Sequence, residues 1–175
     1  EFKIDKSEIE ELRNKNILDL NDLISSKSGH QFSALEKLLY SVLWKNGDLT
    51  KIKHIIEGIT NSEHDKTDKK TALVFYQFGK YLTKKSGEPI IDQHVLRAFS
   101  IYKIKDDENI AQLRKQSLIT IEHKSLIDEY KQWLKSDELN LRLKEESDYS
   151  YHIDKVLFAV GKTVKIRGST KMANQ

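Results

Sequence analysis

The sequence contains no cysteine, only one proline and only seven glycines among its 175 residues. Without cysteine the chain has no disulfide, no thiolate nucleophile and no sulfur ligand for zinc or an iron–sulfur cluster. All-β folds need many tight turns, which glycine and proline supply, so their scarcity argues against a sandwich or barrel. Lys, Glu, Leu and Ile are abundant and favour helices. We therefore expect an all-α, multi-helix globular domain with no iron–sulfur cluster.

The chain also lacks an apolar run of membrane-spanning length and a signal peptide, so we expect no membrane partner. We expect a cytoplasmic location, or a nucleoid-associated one if the chain is bacterial. The six histidines are scattered without metal-ligand spacing, and we expect no metal and no cofactor. A net charge of +3 is mildly basic, which permits a nucleic-acid partner without requiring one.

Apolar residues recur at helical spacing along most of the chain, and polar or glycine-containing stretches separate the repeats. The pattern predicts one domain over residues 1–175 that ends in a frayed basic tail at 166–175. In the last helix we expect a core stripe of Ile153, Val156, Leu157 and Val160. The predicted helices are 4–15, 17–24, 32–45, 49–59, 71–82, 93–103, 107–116, 122–134, 137–146 and 149–164.

The stretch 89–99 contains the single proline and is the most informative part of the chain. Pro89 cannot lie inside a helix and biases Glu88 away from helical angles, so both mark a break. Ile90 and Ile91 then read as an extended, buried pair. Asp92 follows them and suits the N-cap of the next helix, because its carboxylate can accept unpaired amide hydrogens. Asp92 is therefore predicted to be a helix cap, a catalytic residue, or both.

The motifs around this stretch resemble those of a known family. Lys70-Thr71-Ala72-Leu73-Val74 is followed by Pro89-Ile90-Ile91-Asp92-Gln93-His94-Val95-Leu96-Arg97. This order is similar to that of the helix-hairpin-helix DNA glycosylases, the superfamily of endonuclease III and the adenine-specific mismatch glycosylases. The resemblance covers roughly residues 32–103, and helices at 104–165 follow it. The family's Leu-Pro-Gly-x-Gly hairpin is not intact, and Ile56-Glu57-Gly58-Ile59-Thr60 is its nearest approximation.

The resemblance implies a base-excision enzyme that acts on double-stranded DNA and cleaves the N-glycosidic bond of an extruded base. It implies that Asp92 is the catalytic carboxylate. Lys70 matches the lysine nucleophile of the bifunctional members, which would add lyase activity. Both residues have a simpler interpretation, since Asp92 can be only a cap and Lys70 only a solvated lysine.

Other residues near these motifs are candidates for binding DNA or an extruded base. The candidate phosphate contacts are Lys66, Lys69, Lys80, Lys84, Lys85, His94 and Arg97. The candidate base-pocket aromatics are Tyr40, Trp44 and Tyr76. A solvated basic face explains the lysines nearly as well, and core packing explains the aromatics.

Two further functions stay open at this point. The chain can be a non-catalytic nucleic-acid-binding or protein-interaction module on the same fold. It can also be a helical interaction domain with no DNA role, in which Asp92 only caps a helix. A cleft that contains Asp92 with Lys70 within a few Å favours the enzyme. A cleft without Lys70 and a hairpin favours a monofunctional or inactive protein, and a solvent-facing Asp92 without a cleft favours the interaction domain.

Overall fold

The computed structural model describes residues 3–14, 34–63, 71–104, 107–146 and 148–165. These residues form nine α-helices and one short 3₁₀ helix, with no strand among them, which confirms the all-α prediction. The helices are α1 Lys6–Asn14, α2 Ala34–Lys45, α3 Leu49–Thr60, α4 Leu73–Leu82, α5 Gln93–Lys103, α6 Asp107–Leu113, the 3₁₀ helix Ile121–His123, α7 Lys124–Lys135, α8 Leu141–Lys144 and α9 Tyr149–Thr163.

Most predicted helices are confirmed, with small shifts at their ends. Gly47 has a φ of +68° and ends α2 in the left-handed conformation that glycine tolerates. Helix α4 begins at Leu73 rather than at residue 71, because Ala72 has a φ of +53°. The helix predicted over 137–146 is only four residues long, and the helix predicted over 17–24 lies outside the described residues.

The chain divides into two compact units, Glu1–Lys85 and Ser86–Gln175. The boundary falls inside the segment that resembles the glycosylases, just before Pro89. The single domain predicted over 1–175 stays a prediction, and each unit is described by itself below.

In the N-terminal unit, α3 and α4 pack together through two glycines. A Cβ atom on Gly58 would lie 2.0 Å from the carbonyl oxygen of Tyr76, and one on Gly79 would lie 2.0 Å from that of Ile55. Only glycine allows backbones to approach this closely. The core beside this contact contains Ile59, Leu73, Tyr76 and Leu82, and α1 adds Ile9 against α3.

In the C-terminal unit, α5 is the central helix and contacts α6, α7 and α9. It buries Val95, Leu96 and Phe99, and the Phe99 ring packs against the rings of Tyr130 and Trp133 on α7. Helix α9 approaches the start of α5 through Gly161, where a Cβ atom would lie 1.9 Å from the carbonyl oxygen of His94. The helices around α5 therefore fix the segment that contains Asp92.

Candidate active site around Asp92

Asp92 is the N-cap of α5, as the sequence predicts. Its backbone is extended, with φ −141° and ψ 176°, and the helix begins at the next residue. Its Oδ1 accepts hydrogen bonds from the backbone N–H groups of His94 at 2.7 Å and Val95 at 2.8 Å. These donors and the N-terminus of α5 stabilise a negative charge on this carboxylate.

The second carboxylate oxygen of Asp92 differs from the first. Both cap hydrogen bonds go to Oδ1, and Oδ2 accepts no hydrogen bond from any residue that the structure describes. The side chain is half-buried. Within the described part of the chain, Asp92 is thus anchored through one oxygen only.

The segment before Asp92 is buried and is held from two sides. Glu88 is 1% exposed, and its Oε1 lies 3.0 Å from Nζ of Lys131 on α7, within ion-pair distance but not aligned as a hydrogen bond. Ile91 is also 1% exposed. Between them, the N–H of Ile90 donates to Oδ2 of Asp154 on α9 at 2.6 Å. The extended segment therefore has a fixed path into α5.

Asp154 is a buried carboxyl group that the sequence did not single out. It is 4% exposed, and its Oδ1 accepts a 2.6 Å hydrogen bond from the hydroxyl of Tyr130. Burial raises its pKa to about 7, the hydrogen bonds from Tyr130 and Ile90 act in the opposite direction, and the charge of Asp92 adds to the rise. Asp154 therefore titrates near neutral pH beside the candidate catalytic carboxylate.

The core stripe predicted for the last helix is wrong at two of its four positions. Val156 is 62% exposed and Val160 is 44% exposed, whereas Ile153 and Leu157 are half-buried. The fully buried residues of the helix include Ser150, Asp154 and Gly161. The buried face of α9 needs a small residue where it meets the α5 backbone and an acceptor where it meets the N–H of Ile90. Ser150, Asp154 and Gly161 recur at helical spacing, and this pattern could have predicted the buried face of α9. The apolar residues also recur at helical spacing, and the prediction followed them instead.

Arg97 is fully buried, which does not fit the phosphate contact predicted for it. Its Nη1 donates to Nδ1 of His94 at 2.8 Å and to the carbonyl oxygen of Gly161 at 2.7 Å, and its Nη2 donates to the carbonyl oxygen of Gln116. Desolvation lowers the pKa of Arg97, against the opposing effect of the Asp92 charge. Arg97 therefore joins α5, α9 and the 114–120 loop rather than presenting a charge at the surface.

His94 is half-buried beside this arginine. Because a guanidinium can only donate, Nδ1 of His94 acts as the acceptor, which leaves Nε2 to carry the proton of the neutral ring. The ring also meets Phe158 edge-on, with centroids 5.0 Å apart. A phosphate contact from His94 stays a prediction.

The predicted lysine footprint is only partly described. Lys66, Lys69 and Lys70 lie outside the described residues. Lys80 is fully buried, with Nζ 5.6 Å from the centre of the Tyr76 ring, so it does not fit a surface phosphate contact. Lys84 is half-buried and donates to the hydroxyl of Tyr81 at 2.9 Å, whereas Lys85 is exposed and donates to the carbonyl oxygen of Ser62 at 3.3 Å. Contacts from Lys84 and Lys85 to DNA stay predictions.

The predicted base-pocket aromatics find no support in the N-terminal unit. Tyr76 is 4% exposed and belongs to the core beside the contact of α3 with α4, so a stacking role does not fit it. Tyr40 and Trp44 lie on α2, and their side chains are outside the described part of the chain.

The C-terminal unit contains a cavity of about 610 Å³, within the range of small-molecule pockets. Asp92 does not line it. Gln116 lines it, and the carbonyl oxygen of Gln116 accepts a hydrogen bond from Arg97. Its lining residues are Ile104, Asn109, Gln112, Leu113, Lys115, Gln116, Ser117, Leu118, Glu122 and His123.

Within the described ranges, no cluster of three or more His, Asp or Glu side chains is arranged to hold a metal ion. None of the described helices combines the length and the apolar character that crossing a bilayer requires. Comparison of the chain with protein-family models, with curated proteins and with solved structures found no match.

Proposed function

We propose that this protein acts on DNA as a base-excision glycosylase, with Asp92 as its catalytic carboxylate. The observation that carries the proposal is the state of Asp92 within the Pro-Ile-Ile-Asp-x-x-Val-x-Arg motif. The carboxylate is anchored through Oδ1 at the start of α5, and Oδ2 has no hydrogen-bond donor among the described residues. An ordinary N-cap also uses one oxygen, so the motif carries the assignment, and the second oxygen is compatible with it.

The proposed role of Asp92 follows from the place where positive charge develops as the glycosidic bond breaks. A glycosylase extrudes the nucleotide from the stack, which costs about a few kcal/mol and least for a damaged or mismatched base. As the bond between C1′ and the base nitrogen breaks, its electron pair leaves with the base, which takes up a proton, and positive charge develops on the sugar. The Asp92 carboxylate beside C1′ stabilises that charge. Water then bonds to C1′ and gives its proton to Asp92 or to solvent.

Lyase activity requires an amine nucleophile, and Lys70 is the proposed one by resemblance alone. Its amine would attack C1′ as the base leaves with the electron pair of the glycosidic bond, and would lose a proton. The C1′–O4′ bond of the sugar would then break, O4′ would take up a proton, and a Schiff base would form between Lys70 and C1′ in place of the water adduct. Borohydride reduction would trap that intermediate as a covalent protein–DNA complex. Trapping by the wild-type protein that is lost in Lys70→Met supports this role, and base release without trapping assigns water as the nucleophile.

The proposal is tested with duplexes that carry uracil, oxidised guanine, an alkylated base or a mismatch. Wild-type protein is compared with Asp92→Asn, because asparagine also caps helices and keeps an acceptor while removing the charge. Asp148→Asn is the matched control, since Asp148 is the exposed N-cap residue of α9 and undergoes the same charge change. Base release by the wild type and Asp148→Asn, but not by Asp92→Asn, supports the proposal.

A second candidate function is a nucleic-acid-binding or protein-interaction module without catalysis. The burial of Arg97 and Lys80 favours the protein-interaction form of this candidate over a DNA role, because two of the cations expected at a DNA surface are used inside the protein. Salt-dependent binding of duplex DNA without release of any base would support a binding module. Absence of both binding and release would contradict both DNA functions and leave an interaction domain in which Asp92 only caps α5.

A further inference from the structure

The N–H of Ile90 depends on a distant side chain. Pro89 has no N–H group, so Ile90 is the first donor after the proline. Its extended backbone has no strand partner among the described residues, and its donor is satisfied by Asp154, 64 positions further along the chain. Buried backbone donors are almost always paired, so loss of Asp154 would leave this one without its partner.

Asp154 joins three parts of the C-terminal unit. Its two oxygens accept from the segment before Asp92 and from Tyr130 on α7, while its own backbone belongs to α9. Ile90 lies two residues before Asp92, and Ile91 between them is held in the core. The bond from Ile90 to Asp154 therefore fixes the approach of the backbone to the cap residue.

We propose that Asp154 is a positioning residue, whose buried carboxyl group holds the Glu88–Ile91 segment and thereby sets where the Asp92 carboxylate lies at the start of α5. The positioning of the Asp92 carboxylate by Asp154 does not depend on any enzymatic activity. Its consequence for base release rests on the proposed function.

The hydrogen bonds of Asp154 accommodate both of its protonation states. The ionised carboxylate accepts from both Ile90 and Tyr130. When it is protonated, one oxygen still accepts from Ile90, and the acid O–H donates to the Tyr130 hydroxyl, which can also act as an acceptor. The titratable groups that act on it are Tyr130 on α7, which donates to its Oδ1, and Asp92 at the start of α5, whose negative charge opposes ionisation of Asp154.

The test measures amide hydrogen exchange by NMR in wild type, Asp154→Ala, Asp154→Asn and Asp148→Asn. In Asp154→Ala we expect the Ile90 amide to exchange about 10- to 100-fold faster, the range for a hydrogen bond to a charged group. The His94 and Val95 amides, which donate to Asp92, should also exchange faster. The core amide of Ile127 is the internal control. Asp154→Asn keeps an acceptor and should therefore restore most of the protection of the Ile90, His94 and Val95 amides. The amides of the Asp148→Asn control should match the wild type.

Faster exchange at Ile90 together with unchanged exchange at His94 and Val95 would overturn the inference, because Asp154 would then make only a local bond. If Asp154→Ala does not fold, Asp154→Asn and Tyr130→Phe decide instead. The amide shifts of Ile90, His94 and Val95 should share an inflection near neutral pH in the wild type, lose it in Asp154→Asn, and show it at higher pH in Tyr130→Phe, where a donor to the carboxylate is removed. An inflection at Ile90 that His94 and Val95 do not share would overturn the inference, because Asp154 would then act only locally. An inflection of the Ile90 amide shift that persists in Asp154→Asn would also overturn the inference.

A catalytic readout separates this inference from the proposed function. If base release occurs, Asp154→Ala should lower the single-turnover rate at saturating enzyme while leaving the Kd for DNA unchanged, and Asp154→Asn should change the pH profile of that rate. An unchanged rate in Asp154→Ala would contradict positioning for catalysis. If no protein releases a base, the proposed function fails, and the exchange pattern at His94 and Val95 still decides whether Asp154 positions Asp92.

Discussion

Replacing Asp154 by asparagine should change how stability depends on pH. The folded protein holds the pKa of Asp154 at about 7, whereas an aspartate in the unfolded chain titrates near pH 4. Between these values the folded protein keeps a proton that the unfolded chain has released. The stability from this proton is fully present below about pH 4 and is lost as pH rises through about 7.

The magnitude follows from the size of the shift. Each pKa unit corresponds to about 1.4 kcal/mol, so the wild type should lose about 4 kcal/mol of stability across the whole window because of Asp154. Between pH 5 and pH 8 the loss should be about 3 kcal/mol. Asparagine does not titrate, so Asp154→Asn should become more stable relative to the wild type by that amount over the same interval.

The assay is urea unfolding at pH 5, 6, 7 and 8, followed by the fluorescence of Trp133. The chain has two tryptophans, so a Trp44→Phe background makes the signal report on the C-terminal unit alone. Asp148→Asn is the control for a change of charge on α9, and its pH dependence should match that of the wild type. If the plots of unfolding free energy against pH for wild type and Asp154→Asn are parallel within about 0.5 kcal/mol, the raised pKa of Asp154 is contradicted. Asp154 would then be ionised across this pH range.

Three further predictions concern stability and are checked by thermal or urea unfolding. Gly58→Ala and Gly79→Ala should each destabilise the protein by about 2 kcal/mol or more, because the added methyl group would overlap a backbone carbonyl oxygen of the facing helix. A neutral or stabilising effect, which is usual for Gly→Ala inside a helix, would contradict the close contact. Ala72→Gly should stabilise the protein by about 0.5–1 kcal/mol, since glycine adopts a positive φ without strain. A loss of stability would contradict the left-handed conformation of residue 72. Arg97→Lys should destabilise the protein by about 2–3 kcal/mol, because two separate guanidinium nitrogens contact the three acceptors and the single ammonium nitrogen of lysine cannot reach all of them. A neutral result would contradict the buried network.

The features that could be predicted from the sequence are local ones. The Asp92 cap depends on amide groups two and three residues away, and the turn at Gly47 depends on its own backbone angles. Most helices are visible for the same reason, because a periodic apolar face requires only neighbouring residues.

The features that were missed depend on distant contacts. Arg97 resembles a surface cation in the sequence, but its partner Gly161 is 64 positions away. Asp154 resembles a solvated acid among valines and leucines, yet it is the buried acceptor for Ile90. A buried polar residue is tolerated only where its partners are already in place, and no local pattern encodes those partners.

The catalytic role of Asp92 is decided by single-turnover base release from wild type and Asp92→Asn, with enzyme in excess over the duplex that reacts fastest. Asp92→Asn should lower the rate by about 100-fold or more, the scale of a lost charge-stabilising or proton-transferring group. The Kd for the duplex and the helix content should stay near those of the wild type, because asparagine still caps α5. Equal rates for the two proteins, or no release of any base by the wild type, would contradict the assignment of Asp92 as a catalytic carboxylate.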